Sequence, residues 1–187
     1  MPKEKTQKIK VVQKNDPVLR EISTPVPPAK IKSPEIREII SDMKAAMEPQ
    51  ADAVAIAAIQ IGKPVRIFVV SKRAFSIVAG DIETSKAKND MVFINPRIIK
   101  TSKKKESLEE GCLSVRYIYG KVSRAEKATV EAYDEHGKKF TRGFSGLLAQ
   151  IVQHETDHLD GTLFTDKAKN LQEITHEEYE KSLKSFS

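Results

Sequence analysis

The chain is short of the residues that staple a fold or cross a bilayer. It has one cysteine, Cys112, in 187 residues, so no intrachain disulfide can form, and a disulfide-framed secreted domain is excluded. A reducing compartment, the cytoplasm, is the setting that this composition implies. Tryptophan is absent and aromatic residues make up only 6%. No run of 18 apolar residues occurs, so no membrane-spanning helix and no membrane partner is expected. The first ten residues, MPKEKTQKIK, are basic but precede no apolar segment and hold neither Arg nor Ser. Neither a secretory signal nor an organellar transit peptide is expected there. Charge of a single sign is missing as well: 32 Lys and Arg stand against 26 Asp and Glu, for a formal charge of +6. The lysines scatter, apart from Lys103–Lys105 and the first ten residues, with no aromatic side chains interleaved as a base-stacking platform requires. Sequence-specific nucleic-acid binding is therefore not expected.

Hydrophobic residues make up 39% of the chain, enough to build one ordinary core at this length. No repeat and no low-complexity tract interrupts it. Residues 15–28, NDPVLREISTPVPP, carry four prolines and read as an extended, irregular arm. Ser33-Pro34 opens a helix, with Ser as N-cap and Pro at the first helical position. Ile36, Ile39, Ile40, Met43 and Met47 follow at helical spacing until Pro49 stops it. Val65–Val70 and Met91–Lys100 read as strands, the second broken near Pro96. Ser71–Asp90 between them is polar and is expected to be a long surface loop. Ala128–Tyr133 and Lys138–Phe144 form a hairpin around Asp134–Gly137. Leu147, Leu148, Ile151 and Val152 then mark a helix, with Gly161 as its C′ residue. From Asp166 the tail is rich in Glu and Lys, and Leu171, Ile174 and Leu183 suggest an amphipathic helix. Strands in the middle with helices on their flanks make the expected class α+β.

The chemistry concentrates in residues 147–161. His154-Glu155-Thr156-Asp157-His158 is an H-E-x-x-H motif, and on a helix i and i+4 share a face, so both imidazoles can reach one metal ion. Leu147, Ile151, His154 and His158 step by 4, 3 and 4, so the histidines continue the apolar stripe. Two unpaired imidazoles in a core would be costly, and a metal removes that cost. Glu155 sits about 100° round the helix from His154, beside such a metal, where a carboxylate can take a proton from water. With four His and 17 Glu, the motif arises about 0.008 times per shuffled sequence. A catalytic metal usually takes three protein ligands. Cys112 as a thiolate is one option for the third, a carboxylate is the other, and the spaced third His of the metzincins is absent. His136 and His176 lie in polar segments and make no claim on the metal.

Three segments together resemble the peptide deformylase family. Glu110-Gly111-Cys112-Leu113-Ser114 matches its EGCLS, Gln153 to Gly161 (QHETDHLDG) its QHExDHLxG, and Ala53 to Gln60 (AVAIAAIQ) partly matches its GxGxAAxQ. Asp16 to Arg20 (DPVLR) and Asn95-Pro96 are similar to further family segments, so the resemblance covers residues 9–165. It implies an α+β fold in which a central helix bearing the two histidines is enclosed by small antiparallel sheets, with an N-terminal helix and a C-terminal tail or helix. The domain would run over 1–187, with 166–187 as an extension. It implies Cys112, His154 and His158 as metal ligands, Glu155 as general base and acid, and Gln60 with the Leu113 N–H as oxyanion donors. Substrate would pass Val54, Ala55, Gly111 and Ile151. The implied reaction removes the formyl group from the N-terminal formylmethionine of nascent polypeptides and releases formate. The implied cofactor is one divalent ion, natively Fe(II), with Ni, Co or Zn as substitutes. A thiolate suits such soft or borderline metals better than Mg or Ca.

The chain departs from the family pattern in places. Ala53 and Ala55 replace glycines that run beside the substrate, a cost of about 1 kcal/mol or more wherever φ is positive. They imply a narrower cleft or a changed substrate preference. Ile59 stands where small residues or proline are common, and Arg116 where proline usually follows EGCLSx. In some bacterial members a C-terminal helix docks on the ribosome. Here Glu173, Glu177, Glu178 and Glu180 are mixed with Lys181 and Lys184, so a solvated helix packed on the domain is expected. Two alternatives keep the same helix: a zincin-type peptidase, against which Cys112 speaks, and a deformylase-derived metal-binding protein without catalysis, suggested by Ala53 and Ala55.

Overall fold

A computed structural model describes residues 9–79 and 89–184. The basic stretch over 1–8, residues 80–88 of the expected loop, and the last three residues of the tail lie outside the described residues. After the N-terminal arm comes helix α1, Pro34–Met47, with the Ser33 hydroxyl accepting from the Ile36 N–H at 3.4 Å and Pro34 in the first turn. Ile36, Ile39, Ile40, Met43 and Met47 are buried, as the 3.6-residue spacing predicts. Each such side chain contributes about 1.5–3 kcal/mol on burial, against an intrinsic helix penalty below about 0.7 kcal/mol for isoleucine, so packing decides this element.

Strands β1 (Ala55–Ala57), β2 (Ile67–Val70), β3 (Met91–Thr101), β6 (Lys127–Tyr133) and β7 (Lys139–Ser145) form one antiparallel sheet in the order β1-β2-β3-β6-β7. β4 (Lys105–Cys112), β5 (Val115–Ala125) and β8 (Lys169–Glu173) form a second antiparallel sheet in the order β4-β5-β8. Helix α3, Gly146–Leu159, packs on strands of both sheets. Successive residues of β2 and β3 point to opposite faces. Phe68, Val70 and Phe93 meet Ile151, Val152 and Leu159 of α3 in one core, while Ile67, Val69, Val92 and Ile94 meet α1 in the other. Phe68 and Phe93 stack at 4.4 Å between centroids. The histidine helix is thus enclosed by sheets, as expected for the α+β fold.

The hairpin of β6 and β7 pairs Tyr133 with Lys139 around the expected turn, where Gly137 has φ +78°. β3 runs through Pro96 with a register shift between Ile94 and Arg97. At the shift Asn95 adopts φ +52° and ties itself to the arm: its amide donates to the Val26 carbonyl at 2.7 Å and its oxygen accepts from the Val26 N–H at 2.8 Å.

Two expectations are corrected. The polar stretch after β2 is not loop from its start, because Lys72–Ala79 forms helix α2, whose Ala74 is fully buried. Leu171 and Ile174 do not belong to a tail helix: Leu171 lies in β8, which pairs with β5, Ile174 follows that strand, and the helix beyond them, α4, spans His176–Leu183. Thr175 and Glu178 form a capping box at its start.

Gly161 ends α3 as the sequence predicts. Its N–H donates to the His158 carbonyl at 3.1 Å and the Thr162 N–H donates to the Asp157 carbonyl at 2.9 Å, the Schellman pattern. It has φ +69°, and a Cβ there would stand 2.6 Å from the Arg20 carbonyl oxygen. Gly161→Ala is therefore expected to cost at least about 1 kcal/mol, read as a lower urea midpoint at unchanged slope; an unchanged midpoint would contradict the assignment.

Candidate metal centre and active site

Two long-range elements build the site. α3 brings His154, Glu155 and His158 into the interior on consecutive turns. The end of β4 brings Cys112 to them, because the β4–β5 connection folds back so tightly that Cys112 already pairs with Val115. Gly111 precedes it for a steric reason: a Cβ at that position would meet the Tyr119 ring at 2.7 Å.

Among the described residues, Cys112, His154 and His158 bring one ligand atom each within 4.8 Å of one another. Cys112 Sγ lies 3.2 Å from His158 Nε2. The Cys112 sulfur also receives the Gln60 Nε2 and Ser114 N–H groups, both at 3.4 Å. Gln60 is buried and fixed at both ends, its Oε1 accepting from the Ala57 N–H at 2.8 Å and its Nε2 donating to the Ser114 hydroxyl at 3.1 Å. His154 Nδ1 donates to Glu110 Oε2 at 3.0 Å, which turns its other nitrogen toward Cys112.

Glu110 is itself held by Arg124, which donates to both of its carboxylate oxygens at 2.7 and 2.9 Å. Arg124 donates further to Asp157 at 2.6 Å, and Asp157 accepts from Lys167 at 2.7 Å. Burial alone would raise the Glu110 pKa, but the hydrogen bonds from Arg124 and His154 bring it down to about 2. Burial and the neighbouring positive charges of His154 and Arg124 push His158 well below its ordinary value. At His154 burial acts in the same direction, but the hydrogen bonds to Cys112 and Glu110 outweigh it and raise the pKa well above the usual range.

Glu155 is buried and its Oε2 has no hydrogen-bond partner. Burial is the main cause that pushes its pKa up to about 7, opposed by His154 and reinforced by Glu110. A buried carboxylate oxygen without a partner is costly. One thiolate and two imidazoles around a point, with this carboxylate beside them, fit a divalent metal of borderline softness and a proton acceptor for water.

A cavity of about 580 Å³ opens on these groups. All ten residues singled out by the sequence touch it or stand at its floor: Val54, Ala55, Gly111 and Ile151 line it with Gln60, Cys112, Leu113, His154 and Glu155, while His158 is buried behind them. Ala53 and Ala55 line it too, yet the described non-glycine residues with positive φ are Asn95, Tyr117 and Asn170. The two alanines therefore carry no left-handed strain, and Ala55 sits in regular pairing with Val70. His136 and His176 are exposed and away from the cluster. Glu110 and Arg124 received no role from the sequence. Glu110 stood within EGCLS, but Arg124 carried no signal beyond being a charge in a strand whose neighbours Val122 and Ala125 are apolar.

The profile of the polypeptide deformylase family matches residues 8–173. A peptide deformylase of Rhizobium meliloti is 39% identical over 156 residues, covering 83% of this chain and 82% of the relative. Among solved structures, the Met-Ala-Ser-bound class I type b peptide deformylase of Acinetobacter baumannii superposes with a TM-score of 0.73 at 31% identity, covering 85% of this chain and 97% of that one. The Synechococcus elongatus peptide deformylase in complex with actinonin also reaches 0.73 at 31% identity, covering 99% and 90%.

If Glu110 orients His154, Glu110→Gln lowers metal affinity by about 10–100-fold, the usual cost of losing a partner behind a ligand. Competition with a chromophoric chelator measures it, and an unchanged dissociation constant would contradict that role.

Proposed function

The chain belongs to the peptide deformylase family, whose reaction removes the N-formyl group from nascent chains, and we propose that it hydrolyses this amide with Cys112, His154 and His158 as the ligands of a divalent metal and Glu155 as the proton carrier. The observation that carries the assignment is the convergence of the three ligand atoms within 4.8 Å beside a buried carboxylate oxygen that has no partner.

The metal, when bound, supplies Lewis acidity that makes water a nucleophile near neutral pH and polarises the formyl carbonyl. Glu155 Oε2 takes the proton of the attacking water and returns it to the departing amine nitrogen, so formate and the free N-terminus leave together. Gln60 Nε2, held next to Cys112, and the N–H of Leu113 face the negative charge that develops on the formyl oxygen. The methionyl residue passes Val54, Ala55, Gly111 and Ile151. His158, buried at the rear, keeps one side of the cluster away from solvent.

Fe(II) is the native metal in this reading, with Ni, Co or Zn as substitutes, since a thiolate with two imidazoles suits all four. The single cysteine is consistent with a cytoplasmic enzyme that keeps its thiol reduced. Contact with the ribosome is needed only through the emerging chain. The mixed charges of α4 and its buried Tyr179 favour docking on the enzyme over docking on a polyanion.

Formate release from formyl-Met-Ala-Ser, whose deformylated product is the peptide bound in the Acinetobacter relative, tests the assignment. Glu155→Ala is expected to lower kcat by about 10²–10⁴-fold while the protein still binds one equivalent of metal. Cys112→Ala is expected to lose the metal and the turnover together. Wild-type turnover in Glu155→Ala would overturn the assignment.

A further inference from the structure

The cavity extends beyond the metal cluster. Besides the residues named above, it is lined by Ile77 of α2 and by Ile174, Tyr179 and Leu183 of the C-terminal segment. α4 lies after the last residue matched by the family profile, which ends at 173.

α4 is fastened there by a specific set of contacts. The Tyr179 hydroxyl donates to Asp52 Oδ2 at 2.9 Å and accepts from the Arg116 guanidinium. Arg116 also pairs with Asp52 at 3.5 Å, donates to Gln50, and lies 5.6 Å from the Tyr179 ring centroid. The Tyr117 ring meets Tyr179 edge to face at 5.3 Å, and the Ile174 N–H donates to the Tyr117 carbonyl at 2.8 Å. Tyr117 has φ +66°, a conformation that a bulky residue adopts only when its surroundings hold it.

The positions of the partners matter. Asp52 immediately precedes Ala53–Ala55, one border of the cleft, and Arg116 follows Cys112–Ser114, the other. Tyr179 joins the two borders. Ile77, which lines the same cavity, is a large apolar side chain that is 52% exposed among the described residues. Cys112 and Glu155 line the same cavity as Ile77 and Tyr179, so a peptide whose formyl group reaches the first two would have room for its later residues beside the other two.

We propose that α4, latched by Tyr179 to Asp52 and Arg116, is the outer wall of the peptide cleft, and that Tyr179 with Ile77 selects for apolar side chains at the second and third residues of the formylated substrate. The proposal rests on the deformylase reading above. A rigid aromatic anchor and an aliphatic side chain favour apolar residues through burial and leave a substrate without them unaided.

The test compares formyl-Met-Leu-Phe with formyl-methionine amide, which has no residue to place at the wall, and takes the ratio of their kcat/KM values. That ratio is expected to fall about tenfold in Tyr179→Ala and about threefold in Ile77→Ser, with KM for the tripeptide carrying the change. A ratio equal to that of the wild type in both variants would overturn the proposal. Ile77 is exposed, so its variant reports even if Tyr179→Ala fails to fold, and Leu183→Ala gives a second reading from α4. Glu155→Ala run beside them separates the two levels. Its full activity on both substrates would sink the assigned chemistry, while the ratio still decides for or against the wall.

Discussion

Glu110 and Arg124 form the buried ion pair on which the site depends. Their pairing fixes β4 against β5, and through His154 and Asp157 it fixes both strands to α3. Taking two charges out of water is expensive, and such a pair adds little net stability. Removing one partner is another matter, since the remaining charge would be stranded at a cost of about 3–5 kcal/mol. The pair is better understood as a device for position. It holds a carboxylate against His154 of α3 in one geometry, which turns the other ring nitrogen toward Cys112, two residues further along β4.

Around that anchor the protein keeps groups that a purely structural core would exclude. His154 and His158 continue an apolar helix face, Cys112 sits in a fold-back turn, and Glu155 has an oxygen without a partner. Departures of this kind from a well-satisfied interior are expected where function is housed. Each has a use in the proposed amide hydrolysis: three side chains that could hold a Lewis acid, and a carboxylate able to hold and release a proton. The surrounding apolar core keeps these groups still, with Ile151 and Val152 of α3 packed on Phe68 and Phe93 of the large sheet.

Much of this was legible in the sequence because it is written in local periodicity or in fixed spacing. α1 announces itself through Ser33, Pro34 and five apolar residues at helical intervals, and α3 through the stripe that ends in the two histidines. The proposed ligand set was legible in H-E-x-x-H and, through the family resemblance, in EGCLS, and the fold brings one atom from each of Cys112, His154 and His158 within 4.8 Å of the others. What was not legible has physical reasons. α2 lies in a polar stretch and is only eight residues long, too short for periodicity to stand out. β8 is exposed along its whole length, so no alternation marks it, and Leu171 with Ile174 and Leu183 suggested a helix instead. Arg124 gains its meaning from cross-strand pairing that no local pattern encodes. Ala53 and Ala55 looked costly by comparison with glycine, but neither has a positive φ and Ala55 lies in β1, and only the fold could show that.

X-ray absorption at the metal edge of the loaded protein tests the central claim most directly. With zinc, one sulfur near 2.3 Å and two imidazole nitrogens near 2.0–2.1 Å are expected, with oxygen or nitrogen of a light ligand completing about four neighbours. The sulfur shell should vanish in Cys112→Ala. A first shell of nitrogen and oxygen alone in the wild-type protein would contradict a centre built from Cys112, His154 and His158.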